Sequence, residues 1–168
     1  MESLKSRRGL AVLALLVVVA GGWYILRPKA GAIDFSLVDI DGKAFRLSDF
    51  KGRVVLLDFM ATWCGPCVMS MSDLLEIRDE FGEDVVLISI SVDPASDTVE
   101  KLRSWRDSWE ADWIHAQDTA DPPVGRRFEV SAIPTLVIVD KDGGIGFRHV
   151  GLTPVDTLKR EISELLAQ

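Results

Sequence analysis

Apolar and polar positions along this 168-residue chain follow two different periods after one long unbroken apolar run near its start. Phe35 to Val38 and Lys43 to Leu47 flank Asp39-Ile40-Asp41-Gly42, a turn signal that predicts a β-hairpin. Residues 53–60 form a nearly continuous apolar run, which predicts a strand. Cys67, Met71, Leu74, Ile77 and Phe81 then recur at helical spacing, predicting a helix to about residue 82 with one apolar face. A strand over 85–92 follows. The next helix is expected to start at Asp97, with Glu100 three positions on completing a capping box and Val99, Leu102, Trp105 and Trp109 as its buried stripe.

Trp113-Ile114-His115 reads as a short strand, 118–123 as a loop and 124–129 as a short helix. A strand over 135–139 turns at Asp142-Gly143 into another over 145–150. Thr153 is expected to cap a last helix, with Pro154 at its first position and Val155, Leu158, Ile162 and Leu165 on one face. The order is βαβ followed by ββα, an α/β arrangement with a hairpin added in front.

The unbroken run is residues 10–26, seventeen uncharged positions, the short end of a membrane span. Lys5, Arg7 and Arg8 precede it, so the positive-inside rule favours a cytoplasmic tail at 1–9, a transmembrane signal-anchor at 10–26, a linker at 27–32 and a domain from 33 to 168 outside the cytoplasm. Trp23 and Tyr24 suit the outer interface. The competing reading is a cleaved signal peptide, because Ala30-Gly31-Ala32 resembles a processing site. With no cysteine near residue 30, a lipid-modified cysteine is excluded.

Residues 32–168 hold 14 basic and 25 acidic side chains, net −11. Such a surface repels nucleic acid and anionic membrane, so a role on DNA or RNA is not expected. Exported chains often carry disulfide staples, but the only two cysteines here stand together in Trp63-Cys64-Gly65-Pro66-Cys67. Stability must then come from the core.

That string is a redox motif. Cys64, at the start of a helix, faces unpaired N–H groups and the positive end of the helix dipole, which favour thiolate. Cys67 lies on the apolar face and suits the resolving role. Gly65 permits close approach of a substrate backbone, and Pro66 fits a first helical turn, where its missing N–H is no loss. A zinc site would need two more ligands, and His115 and His149 are far apart and wrongly spaced. A disulfide closing so short a loop removes little chain entropy, which argues against a structural staple. No metal and no cofactor beyond the Cys64–Cys67 couple is expected. Asp58 stands six positions before Cys64 among Val, Leu and Phe; burial should raise its pKa and let it exchange a proton with Cys67. Trp63 is expected to form an apolar rim for substrate. His115 and His149 receive no role, and Trp105, Trp109 and Trp113 read as core or surface away from the chemistry.

The stretch from Phe45 to Cys67, together with Val130-Ser131-Ala132-Ile133-Pro134-Thr135 and the Asp140-Lys141-Asp142-Gly143 turn, resembles the membrane-tethered thioredoxin-like thiol:disulfide oxidoreductases of the TlpA/ResA type. The likeness spans about residues 33 to 168. It implies a thioredoxin-like fold, a central mixed sheet flanked by helices, and a cis Pro134 that presents the backbone of Ile133 to substrate. It also supports Asp58 as the buried acid. Two departures matter. Ser70 and Ser72 stand where the family commonly has glutamate and proline, and Ser89 aligns with a lysine that thioredoxins place near the aspartate.

The resemblance implies attack by Cys64 on protein disulfides, resolution by Cys67, and a transmembrane thiol donor to return electrons. Cytochrome c maturation or the reduction of copper-site thiols are the client pathways it suggests. The rival readings are a tethered metallochaperone holding Cu(I) through Cys64 and Cys67, and a peroxiredoxin-like peroxidase. Against the latter, Ala61-Thr62-Trp63 does not place a threonine three residues before Cys64.

Overall fold

A computed structural model describes residues 33–168, so the expected tail, anchor and linker lie outside the described residues. Among those residues, no helix is long and apolar enough to cross a membrane.

The hairpin signal is realised as β1 (Ser36–Val38) and β2 (Ala44–Arg46), antiparallel, with Leu37 opposite Phe45. The remaining strands are β3 (Val54–Met60), β4 (Val85–Ser91), β5 (Ile114–Gln117), β6 (Thr135–Val139) and β7 (Ile145–Val150). They form one mixed sheet in the order β5-β4-β3-β6-β7. β3 runs parallel to β4 and antiparallel to β6, and sits at the centre. All seven of its residues are buried, which accounts for the nearly continuous apolar run at 53–60.

The helices are α1 (Gly65–Phe81), α2 (Val99–Trp109), a single turn α3 (Val124–Arg127) and α4 (Val155–Leu166). Two connections in the same direction, β3-α1-β4 and β4-α2-β5, place both helices on one face of the sheet. There Val54 and Leu56 of β3 meet Met71, Leu74 and Ile77 of α1 and Leu158, Ile162 and Leu165 of α4. On the opposite face Val55, Leu57 and Phe59 meet Leu37 of β1 with Phe35 just before it, Phe45 of β2 with Leu47 just after it, and Val124 and Phe128 around α3. The hairpin thus covers the face the long helices leave open.

Two helix starts differ from expectation by one residue each. Thr98, not Asp97, caps α2, its hydroxyl accepting from the Lys101 N–H, because the carboxylate of Asp97 is turned inward to other partners. Pro154 is itself the N-cap of α4, and Thr153, one residue earlier, turns its hydroxyl to the Gly151 carbonyl. On α2 only Leu102 is fully buried; Val99, Trp105 and Trp109 are half-buried.

Candidate active site

β3 ends at Met60, and a three-residue turn delivers Cys64 as the N-cap of α1. Cys64 and Cys67 are joined by a disulfide. The Cys67 N–H donates to Cys64 Sγ at 3.2 Å, which is the helix-end stabilisation expected of a thiolate there. Gly65 and Pro66 occupy the first helical turn and are exposed. Both sulfur-bearing residues are buried in this oxidised state, Cys64 at 5% exposure and Cys67 at 2%. They pack with Ile40, Met60, Ala61 and Leu102, and with half-buried Val99, Trp105 and Ile133. Trp105 is therefore part of the wall around the cysteines, where the helical stripe had suggested a place away from the chemistry.

The Ile133–Pro134 peptide bond is cis, and the Ile133 carbonyl oxygen lies 3.8 Å from Cys64 Sγ. Pro134 is buried and its carbonyl accepts from the Gly151 N–H at 2.7 Å. Trp63 is 59% exposed, its indole N–H donating to Asp93 at 3.1 Å. Hydrogen bonds from Ser96 hold the Asp93 carboxyl below the usual range.

Asp58 is on the helix-covered face of β3, in step with Met60, which belongs to the buried cluster that holds both cysteines. It is buried, and Ser89 directly opposite on β4 donates to its Oδ2 at 2.9 Å. Burial pushes the carboxyl up to about 7, with the Ser89 hydrogen bond opposing. The alignment of Ser89 with a family lysine thus corresponds to a real cross-strand neighbour. Ser70, at the family's glutamate position, is buried and returns its hydroxyl to the Cys67 carbonyl at 3.0 Å.

Two participants were missed by sequence reasoning. Asp97, with a fully buried side chain, accepts from the Thr62 amide at 2.9 Å, from the Thr62 hydroxyl and from Ser91 Oγ at 2.8 Å, and pairs with Lys101 at 3.1 Å. Burial pushes its carboxyl up, but those hydrogen bonds outweigh it and leave the group below the ordinary range. Asp97 therefore ties the β4–α2 loop to the turn that carries Cys64. Its one legible signal was that Thr98 already suffices as a cap. Trp113 is the second: its indole N–H donates to Ser89 Oγ at 3.0 Å, a correction to its reading as core or surface remote from the site.

His115 is buried, its ring stacked on Trp113 with centroids 5.5 Å apart and Nε2 facing the Ala111 carbonyl. Burial lowers its pKa to about 4, so it is neutral. His149 contacts Glu161 at 2.6 Å. Among the described residues no group of three or more His, Cys, Asp or Glu could hold a metal ion.

A mixed sheet flanked by helices, a Cys-Gly-Pro-Cys disulfide at a helix N-terminus and a cis proline beside it define a thioredoxin-like protein with redox-active cysteines. Residues 28–148 match the AhpC/TSA family, and the chain belongs to it. It is 31% identical over 120 residues to the thiol-disulfide oxidoreductase ResA of Bacillus anthracis, covering 71% of this chain and 68% of that one. It is 27% identical over 150 residues to the thioredoxin-like protein YneN of Bacillus subtilis (strain 168), covering 83% and 87%. The crystal structure of the exposed lipoprotein thioredoxin from Streptococcus pneumoniae strain TIGR4 superposes with a TM-score of 0.64 at 29% identity, covering 79% of this chain and all of that one. The protein is a thiol-disulfide oxidoreductase of the thioredoxin superfamily.

Proposed function

We propose that this protein is a membrane-tethered reductase of protein disulfides, working outside the cytoplasm. The observation that carries the reading is the Cys64–Cys67 disulfide at the start of α1, with Asp58 buried on the strand that leads into it and its carboxyl raised by burial. In the dithiol form, Cys64 thiolate attacks one sulfur of a substrate disulfide, forming a mixed disulfide and expelling the other substrate sulfur as thiolate. Cys67 then passes its proton to ionised Asp58 and attacks Cys64 Sγ, closing the Cys64–Cys67 disulfide and releasing the second substrate thiolate. Trp63, Gly65 and Pro66 form the exposed rim on which a client segment docks, and the Ile133 backbone beside Cys64 offers it a strand-like partner.

The apolar segment at 10–26 with basic residues before it supports a retained anchor and an exported domain. An exported disulfide must be re-reduced, so the reading requires a thiol donor that spans the membrane, and no cofactor. Protein thiols of cytochrome c maturation or of copper sites are the proposed clients.

The test uses the full-length protein. Cys67→Ser should accumulate mixed disulfides with protein clients in carbonate-resistant membranes, and Cys64→Ser should not. A mature start near Ile33 would replace the anchor by a cleaved signal. A reduction potential for the Cys64–Cys67 couple above about −180 mV, the range of disulfide-forming catalysts, would reverse the direction of transfer. Peroxide consumption, or Cu(I) retained against a competing chelator, would replace the reading by a peroxidase or a metallochaperone.

A further inference from the structure

A row of directly opposed residues crosses the helix-covered face of the sheet: His115 on β5, Ser89 on β4, Asp58 on β3, Leu136 on β6 and His149 on β7. Trp113, just before β5, reaches into this row. Its indole N–H has no acceptor capacity and can only donate, and it donates to Ser89 Oγ at 3.0 Å. A serine hydroxyl has one proton. The indole occupies one of the two lone pairs of the oxygen, and the hydroxyl proton is directed to Asp58 Oδ2, 2.9 Å away. The arrangement has a sense: tryptophan to serine to aspartate. Without Trp113 both lone pairs would be free to accept from a protonated Asp58, so donation to an ionised Asp58 would be less favoured.

The consequence falls on the other carboxylate oxygen. Oδ2 is committed as an acceptor, whereas Oδ1 is buried without a hydrogen-bond partner among the described residues. Resting on the reading of Asp58 as the acceptor of the Cys67 proton, we propose that Trp113 and Ser89 are a positioning pair: they hold Asp58 ready in its ionised form and direct the incoming proton to Oδ1. Neither touches the reacting sulfurs; both act through Asp58.

The other ionisable groups around Asp58 are few. α1 presents Cys67 among otherwise non-titrating buried residues, Ser70, Met71 and Leu74. β5 presents His115, one strand beyond Ser89 and neutral by burial. α2 presents Leu102 and Trp105, with its Arg106 turned to Asp41 at 2.7 Å. β6 presents Leu136, and beyond it β7 and α4 present His149 and Glu161 in mutual contact. Among the described residues, the Ser89 hydroxyl is the one side-chain hydrogen bond that favours Asp58 ionisation.

The experiment follows the Asp58 carboxyl directly in full-length protein, by carbon NMR of labelled aspartate assigned with Asp58→Asn. Resolution of a preformed Cys64 mixed disulfide is measured over the same pH range. Ser89→Ala should raise the Asp58 titration by roughly one to two pH units, the value of a hydrogen bond to a charged group, and slow resolution near neutral pH about tenfold. Trp113→Phe keeps an aromatic ring and Ser89 but removes the indole donor, and should raise the titration by a smaller amount, roughly half to one unit. In both variants the midpoint of the resolution profile should move with the titration, while the initial attack by Cys64 is unmoved. Ser89→Thr, which keeps the hydroxyl, should restore both. An Asp58 titration unmoved in Trp113→Phe overturns the pairing. A titration that moves while the resolution profile stays put leaves the pair standing and removes Asp58 from the proton transfer.

Discussion

Asp58 and His115 lie two strands apart in one row, and burial moves their ionisation in opposite directions. The Asp58 carboxyl is raised from 3.8 to about 7. The stability associated with its neutral form is fully present below about pH 4 and lost as pH rises through 7. The gap of about three pH units corresponds to roughly 4 kcal/mol. The His115 imidazole is lowered from 6.5 to about 4, so its contribution is present above pH 6.5 and lost as pH falls through 4, roughly 3 kcal/mol in all. Between about pH 4 and 6.5 the two slopes oppose, and the native protein should show a nearly flat stability profile from this pair.

Asp58→Asn exposes the histidine slope. Asparagine keeps an acceptor for Ser89 but places an amide N–H₂ on the side where Oδ1 has no partner, at a cost of about 1–3 kcal/mol. Against the roughly 4 kcal/mol recovered, the variant should be about 1–3 kcal/mol more stable than the native protein near pH 8, and less stable than it near pH 4. Urea unfolding of the oxidised protein at steps of one pH unit reads this directly. A native-minus-variant difference that stays constant within about 0.5 kcal/mol from pH 4 to 8 would refute a carboxyl that ionises only near neutrality. His115→Phe should reveal the complementary slope, stability falling steadily as pH rises from 4 to 7.

Asp97→Ala leaves the Thr62 amide, Ser91 and Lys101 without their common acceptor; a loss of roughly 3 kcal/mol in urea unfolding is expected, with weaker discrimination between Cys64 and Cys67 in alkylation of the reduced protein. An alkylation pattern identical to the native one would confine Asp97 to stability. Trp63→Ala, at a site 59% exposed, should leave stability within about 0.5 kcal/mol and raise KM for a protein disulfide several-fold, with turnover of a small-molecule disulfide unchanged. Equal KM for both substrates would remove Trp63 from client docking.

The strands and the long helices were legible because each carries its own period: β3 as a buried run, and α1 as a recurrence ending at Phe81. The hairpin was legible from its turn residues, and the N-cap position of Cys64 from the Gly-Pro that follows it. The cis bond at Pro134 came from family resemblance alone, since nothing local distinguishes it. Asp121–Pro122, also cis, had no such guide and was not foreseen. Asp97 was misread because a carboxylate just before a helix is a plausible cap, and only its contact with Thr62, 35 residues back, shows otherwise.

Trp113 was beyond reach for a related reason. Periodicity says that a tryptophan is covered, not where its N–H points, and its acceptor lies 24 residues away on β4. Yet the polar row depends on the apolar pattern that was legible. Val85, Leu87 and Ser89 share the face of α1, while Val86, Ile88 and Ile90 pack against the hairpin side. A slip of β4 by one residue would turn Ile88 or Ile90 toward Asp58 and bury Ser89 on the wrong face, while exchanging both apolar sets between unlike cores. The packing that forbids the slip is far larger than any single hydrogen bond in the row. The alternation of valine, leucine and isoleucine therefore places one serine opposite one aspartate, and the chemistry of the site is positioned by residues that take no part in it.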